Sequence, residues 1–430
     1  MEILMTSRRH FLGTGLLMGA VVAAKPKSLI AEEQELPSSI AQLRSMKDRV
    51  KAIPNDERLA RIERARELMK ANGIAAIVLA SGTSLTYFSG IRWWPSERFF
   101  AMVIPAKGTA FCVSPAFEEE RAKEQIAKGP LGSSADVRVW QEDEDPYERL
   151  VQGLKDHGVA GGSLGIEETT WFVFSDNIAR YAPGIQCVSA TPVTAGCRMV
   201  KSPAELELMR VANQATLAAY DAAWKAIKPG MTDRQFGGLI EAAHQRLGFP
   251  GDAMVLVDQY SASPHGTVNP QVIEENSIVL MDGGCKVEGY SSDITRTFVV
   301  GKPTDKMRRV FDIVHKAQEK ALAAARPKAA CGDVDAAARR IISDAGFGPD
   351  YKYFTHRVGH GIGMDGHEWP YLVRGNKLPL QPGMTFSDEP GVYIRGEFGV
   401  RLEDDMHIAE DGAELFTGQS HSLEEPFQAG

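Results

Sequence analysis

The chain has 430 residues, 24% of them charged, with 56 acidic against 48 basic side chains and a formal net charge of −8. Length and balance describe a soluble globular protein of about two domains. The mild acidity and the lack of a long basic run argue against nucleic acid as a partner.

The first residues stand apart from the rest. Ser7-Arg8-Arg9-His10-Phe11-Leu12 precedes an apolar stretch from Leu16 to Ala24, too short to span a bilayer, with Lys25 and Lys27 behind it. This pattern resembles a twin-arginine export signal over residues 1–31, the route of proteins that fold before they cross a membrane. It implies the export machinery as a partner of the precursor and a periplasmic mature protein. Cleavage after Ala24 or after Ala31 fits equally. The competing readings are an N-terminal helix with two chance arginines and an uncleaved anchor.

Residues 40–198 alternate between two patterns. Arg58 to Lys70 reads as a charged amphipathic helix stopped at Asn72-Gly73, and Ile74 to Leu79 as a buried strand. Phe99 to Pro105 is a second strand, Asp145 to His157 a helix, and Ser163 to Glu167 follows as β sequence. The expected unit is an α/β domain. Five cysteines, Cys112, Cys187, Cys197, Cys285 and Cys331, have no CxxC spacing and read as small apolar residues.

A second domain is expected over residues 202–425. Ser202-Pro203-Ala204-Glu205 has the form of a capping box and opens a helix expected to reach Ile227. Thr232 to Leu247 is a second helix ended by Gly248, and Lys306 to Ala325 and Asp333 to Ala345 form another pair. β-rich sequence follows each pair, so the two halves look alike.

That β-rich sequence carries four acids and an imidazole in a suggestive order: Asp282, Asp293, His360, Glu389 and Glu403. Such a donor set suits divalent manganese, cobalt, iron or zinc rather than a thiolate-seeking metal. A hairpin centred between Val287 and Glu288 would oppose Asp282 and Asp293, with Cβ atoms about 4.5–5.5 Å apart. Glu389 and Glu403 are symmetric about Gly396, although Pro390 cannot donate to a ladder. Two such pairs with a histidine would hold two ions about 3.5–4 Å apart. Singly, each acid is as well read as a surface charge. Together, flanked by apolar strand residues, they would be costly to bury without metal. The GxGxxG match at Gly361, Gly363 and Gly366 lacks the strand-to-helix setting of a dinucleotide site and is read as accidental.

In combination the motifs are specific. Asp282-x-Gly284, Gly289-Tyr290-x-Ser292-Asp293-x-Thr295-Arg296-Thr297 and His356-x-x-Gly359-His360-x-Ile362-Gly363 lead on to Glu389-Pro390-Gly391-x-Tyr393 and Arg401-x-Glu403-Asp404. This set resembles the metallopeptidase family that includes methionine aminopeptidase, aminopeptidase P and prolidase, together with the non-metal enzyme creatinase. Lys201-Ser202-Pro203-x-Glu205-Leu206 and Tyr87-Phe88-Ser89-Gly90 with Trp93-Trp94-Pro95 are similar to its Xaa-Pro branch.

The resemblance implies a creatinase/prolidase-type α/β N-terminal domain and an α+β pita-bread catalytic domain. It also implies two divalent ions, manganese first and cobalt, zinc or iron as alternatives, on Asp282, Asp293, His360, Glu389 and Glu403, with Asp293 and Glu403 bridging. Metal-activated water would cleave the bond before proline in dipeptides or short peptides, with Glu389 moving the proton. His265 or a metal would stabilise the oxyanion, His367 would orient substrate, His356 would act in the same site, and Arg401 would stand near substrate or behind the ligands. A homodimer is the family's expected assembly. Two other functions stay open at this point: a lyase or hydrolase acting on a small sulfonium or organophosphorus compound, and a non-catalytic metal-binding protein.

Overall fold

The computed structural model describes residues 36–427, so the export leader expected at residues 1–31 lies outside the described residues. After a short α1 (Ser38–Ala41), α2 (Asn55–Asn72) ends where Gly73 takes a left-handed φ of 66°, a conformation open to glycine at little cost. The apolar run behind it is β1 (Ile74–Ala80). Next come α3 (Thr83–Ser89), β2 (Ala101–Pro105), β3 (Phe111–Pro115), α4 (Glu119–Lys128), β4 (Asp136–Trp140) and α5 (Pro146–Asp156). β5 (Gly162–Ile166), α6 (Phe172–Tyr181), β6 (Ile185–Ser189) and α7 (Thr191–Arg198) complete this half.

The six strands form one mixed sheet in the order β4-β3-β2-β1-β5-β6. Its faces follow the period of two that a strand imposes. Ile77, Leu79, Met102 and Ile104 pack on one side with Ile62 and Met69 of α2. Ala76, Val78, Ala101 and Val103 pack on the other with Leu150 and Leu154 of α5 and Ile178 of α6. Phe99 and Phe100 are buried just ahead of β2, which starts at Ala101 rather than at the expected Phe99. The neighbouring tryptophans part: Trp93 stacks on Phe100 with ring centroids 4.0 Å apart, whereas Trp94 is 80% exposed.

The other half opens on α8 (Pro203–Trp224), where the Ser202 hydroxyl accepts from the Glu205 amide and the Glu205 carboxylate accepts from the Ser202 amide. This helix stops at Trp224, short of the expected Ile227. The chain then tightens into single i+3 bonds, from Ala226 N to Ala223 O and from Ile227 N to Trp224 O, ahead of Pro229. α9 (Asp233–Leu247) carries its own capping box, Thr232 with Gln235, and ends at Gly248 with φ 100°. β7 (Gly251–Val257), β8 (Ile278–Val287), β9 (Tyr290–Ser291) and β10 (Ile294–Val299) form a sheet in the order β10-β8-β7, with β9 on β8.

α10 (Asp305–Ala324) and α11 (Cys331–Asp344) repeat the helix pair. β11 (Gly359–Gly361), β12 (Glu368–Leu372), β13 (Thr385–Asp388), β16 (Asp404–Ile408) and β17 (Ala413–Leu415) form the matching sheet, with β14 (Gly391–Ile394) and β15 (Phe398–Arg401) as a separate ribbon. One apolar core runs from α2 and β1 into Leu208, Met209, Val211 and Ala212 of α8, so the two halves share buried surface. All five cysteines are unpaired, and all but Cys187 are buried. No helix among the described residues is long and apolar enough to cross a membrane.

Arg296 joins the two C-terminal sheets. It is fully buried and donates to Asp404 Oδ1 at 2.7 Å, to Glu403 O at 2.8 Å and to Gly418 O at 2.8 Å. Arg296→Met should therefore lower unfolding free energy by about 3–5 kcal/mol, because Asp404 is left buried and short of charge compensation. Denaturant titration checks this. A loss below about 1 kcal/mol would mean that the pair does not tie the sheets together.

Candidate active site

Two hairpins carry the acids. The first turns on Glu288 and Gly289, with φ 50° and 93°, the two positive angles of a type I′ turn. Val287 then pairs with Tyr290, and in the same register Asp282 faces Thr295 rather than Asp293. The expected centre between Val287 and Glu288 thus moves by one residue, to between Glu288 and Gly289. Asp293 lies two residues before Thr295, so it remains on the same face as a diagonal neighbour of Asp282. The ladder opens at this point because the Asp293 amide donates instead to Asp405 Oδ2 at 2.9 Å. Gly284 makes the opening possible: a Cβ there would lie 2.0 Å from Ser292 O.

The second hairpin keeps its expected register about Gly396. Gly391 pairs with Arg401 in β14–β15, and Asp388 pairs with Asp404 in β13–β16. Glu389 and Glu403 stand between these two ladders, where Pro390 interrupts the bonding. Glu403 N turns to Thr295 O at 3.1 Å, which brings the second hairpin onto the first. His360 arrives on β11. Its Nδ1 lies 3.1 Å from Gly361 O and donates to it, leaving the Nε2 lone pair 3.4 Å from Glu389 Oε1 and 3.8 Å from Asp293 Oδ2.

All nine side chains singled out in the sequence line one cavity of about 640 Å³, the five candidate ligands together with His265, His356, His367 and Arg401. Ligand atoms of Asp282, Asp293 and Glu403 lie within 4.8 Å of one another, and so do those of His360, Glu389 and Glu403. The two groups share Glu403. A third group of the same span joins Asp293, His360 and His367. His367 was expected to face substrate without adding a sixth ligand; its exposed ring stacks on that of His360, with centroids 3.7 Å apart.

Charge is uncompensated here. Burial and then the Asp282 charge push Asp293 well above the usual carboxylate range, and burial followed by Asp293 and Glu389 does the same to Glu403. Glu389 is pushed up to about 8 by burial, with Asp282 adding to it. Burial works against the Asp282 carboxylate as well, but the Arg401 guanidinium outweighs it and holds Asp282 below its ordinary value. Burial and the adjacent His367 lower His360 to about 3, so its ring is neutral. Three acids thus face each other and a neutral imidazole across a hard-donor pocket, which fits a pair of divalent cations.

Arg401 stands behind the ligands. It is 3% exposed, and its donors are committed to Asp282 Oδ2 at 2.5 Å, Thr295 Oγ1 at 3.1 Å and Tyr393 OH at 3.0 Å. His356 Nδ1 donates to Arg357 O at 2.8 Å, so its Nε2 accepts from Tyr393 OH at 2.7 Å. Sequence reasoning had not assigned roles to Thr295, Tyr393 or Asp405. Thr295 Oγ1 lies 2.9 Å from Asp282 Oδ1 and 2.5 Å from Glu403 Oε2, and its single proton serves one of them at a time. The period of two puts Tyr393 on the face of Glu389, so its place was open to inference from the motif. The contact between Asp405 and the Asp293 amide spans 112 residues and left no local signal.

Fold and site together define a metallopeptidase. Residues 207–410 match the model of metallopeptidase family M24, and residues 61–200 match the creatinase/prolidase N-terminal domain. The Xaa-Pro dipeptidase of Lactobacillus delbrueckii subsp. lactis is 32% identical over 370 residues, covering 84% of this chain and 98% of the relative. The probable dipeptidase PepE of Mycobacterium tuberculosis is 36% identical over 82% of this chain and 92% of its own. The crystal structure of dipeptidase PepE from Mycobacterium ulcerans superposes with a TM-score of 0.81 at 32% identity, covering 87% of this chain and 99% of that one. The prolidase of Thermococcus sibiricus gives 0.77 at 28% identity, over 87% of this chain and 100% of its own. The chain belongs to metallopeptidase family M24, with the creatinase/prolidase N-terminal domain and the pita-bread catalytic domain.

The raised carboxyls set a pH dependence. Glu389 has a folded value of about 8 against an ordinary 4.5, so the metal-free folded chain holds more protons than the unfolded chain between those limits. Stability of the metal-free protein therefore falls as pH rises through that window. Divalent ions replace those protons, so the melting-temperature gap between metal-loaded and chelated protein should widen from about pH 5 to about pH 8. Scanning calorimetry of both forms checks it, and a gap that narrows with rising pH would contradict the charge assignment.

Proposed function

We propose that this chain hydrolyses the bond preceding proline in dipeptides and short peptides, as an Xaa-Pro dipeptidase first and an Xaa-Pro aminopeptidase second. The observation that carries the reading is the convergence of two acid-bearing hairpins on His360 in one cavity, in a chain that is 30–36% identical over most of its length to proteins named as dipeptidases. The relatives favour this peptidase reading over a sulfonium or organophosphorus substrate.

Asp282, Asp293, His360, Glu389 and Glu403 would hold the metals, with Asp293 and Glu403 shared. Manganese is the first choice for so many carboxylate donors, with cobalt, zinc or iron as alternatives. When bound, such ions polarise a carbonyl and bring the pKa of water towards neutrality. Glu389, on the cavity wall with one carboxylate oxygen 3.4 Å from His360 Nε2, would transfer a proton to the leaving proline nitrogen. His265, exposed on the cavity wall, would donate to the developing oxyanion, and His367 would orient the peptide. Arg401, Tyr393 and His356 form a relay of contacts that holds Asp282 in position.

Xaa-Pro dipeptides, tripeptides and a sulfonium compound, each assayed before and after exhaustive chelation and after manganese is restored, test the reading. The expected result is metal-dependent turnover of the dipeptide, abolished in Asp293→Ala and Glu403→Ala while both variants remain folded. Full activity in protein shown by elemental analysis to be metal-free would overturn it.

For the precursor we infer export by the twin-arginine route to the periplasm, from Ser7-Arg8-Arg9 and the short apolar stretch that follows. Replacing Arg8 and Arg9 with lysine should leave active, unprocessed enzyme inside the cell. Unchanged extracytoplasmic activity in that variant would rule the route out. A homodimer suits the large apolar side chains left exposed in the N-terminal domain, Trp94, Phe117 and Phe172, which are 80%, 65% and 79% accessible.

A further inference from the structure

His367 lies in the turn that connects β11 to β12, and its two flanks are held from outside the catalytic sheets. Asp365, two residues before it, accepts from Arg198 Nη2 at 2.5 Å and from Thr83 Oγ1 at 2.6 Å. Glu368, the residue after it, accepts from the same Arg198 nitrogen and from Lys201 Nζ. Arg198 is the last residue of α7, Thr83 the first of α3, and Lys201 belongs to the segment between α7 and α8. The cluster is interior: Arg198 and Lys201 are each 6% exposed and Glu368 is 7%.

The opposite end of the turn is held by the catalytic domain itself. Ser291 N donates to Gly363 O at 2.7 Å, and Lys286 Nζ donates to Met364 O at 3.2 Å. Gly363 packs directly on the ion pairs, since a Cβ there would meet Glu368 Oε1 at 2.5 Å and Lys201 Cε at 2.8 Å. Apolar side chains of equal volume would join the two domains at no greater cost than a buried ionic cluster. What this cluster adds is direction: one guanidinium nitrogen grips both flanks of a single exposed imidazole, which is stacked against His360.

We propose that Arg198, supported by Thr83 and Lys201, is a positioning residue through which the N-terminal domain aims His367 at the substrate. The proposal rests on the reading of His367 as the residue that orients the peptide. A side chain moved by about 1 Å can cost about 10² in rate, so a clamp remote from the metals can govern turnover without touching them.

The test compares Arg198→Gln, Thr83→Val and His367→Ala, singly and combined, in metal-loaded full-length enzyme on an Xaa-Pro dipeptide. Metal content and amide hydrogen exchange across residues 361–368 are measured on the same samples. His367→Ala should lower kcat by about 10²–10³ with metal retained. Arg198→Gln should lower kcat about 10-fold or more and speed exchange in that segment, with little change in metal content. Thr83→Val keeps the ion pairs and should give a smaller loss in the same direction, so it carries the test if Arg198→Gln does not fold.

In the His367→Ala background either clamp substitution should add less than about 2-fold, because the two sites act as one unit. An equal loss in both backgrounds would overturn the proposal, as would faster exchange with kcat unchanged. If His367→Ala alone left kcat intact, the orienting role of His367 would fail and the proposal with it. The exchange data would still report whether Arg198 holds the turn.

Discussion

Three carboxylates that repel one another are held together at the centre of this protein. Asp293, Glu389 and Glu403 face a shared space, and the Arg401 guanidinium beside them is committed to Asp282. Such an arrangement is unfavourable until cations enter. The surrounding fold makes it possible by denying these acids any other geometry. Asp282 and Asp293 are on one hairpin, Glu389 and Glu403 on another, and a single backbone bond from Glu403 N to Thr295 O brings the two into register with each other.

A second layer of buried charge keeps that geometry rigid. Arg296 pairs with Asp404 and also satisfies the carbonyls of Thr295 and Glu403, the two residues at the crossing point. Gln318 of α10 donates to Asp404 Oδ2 and Asp388 O, which ties the helix layer to the same strands. Asp405 takes the Asp293 amide out of its ladder and so turns that carboxylate towards the cavity. Side chains outside the candidate ligand set thus decide where the candidate ligands point.

The N-terminal domain is joined to this centre in two ways. Its apolar core continues into α8, and its polar contacts converge on the turn that carries His367. Arg61 extends the same junction: it donates to Tyr290 OH beside the first hairpin and pairs with Glu57 and with Glu205, the acid of the α8 capping box. A domain without candidate ligands can in this way influence a site built wholly in the other half.

Much of this was legible in the sequence. The helix start at Ser202 follows from the capping-box pattern, and the stops at Gly73 and Gly248 follow from the need for a left-handed residue, because such signals act within a single turn of chain. The second hairpin's register followed from the symmetry of its acids about Gly396, despite Pro390. The first hairpin was displaced because Glu-Gly is a weaker turn signal than Asn-Gly, and only the positive φ of Glu288 locates it. The sequence by itself thus determined which side chains could serve as ligands and, to within a residue, which strands present them. Tertiary structure alone decided what surrounds them: Arg401 reaches Asp282 across 119 residues, Asp405 meets the Asp293 amide across 112, and Arg198 reaches Asp365, beside His367, across 167. Local backbone preference acts over a few residues, whereas the electrostatic cost of a buried charge is settled by whatever the completed fold places beside it.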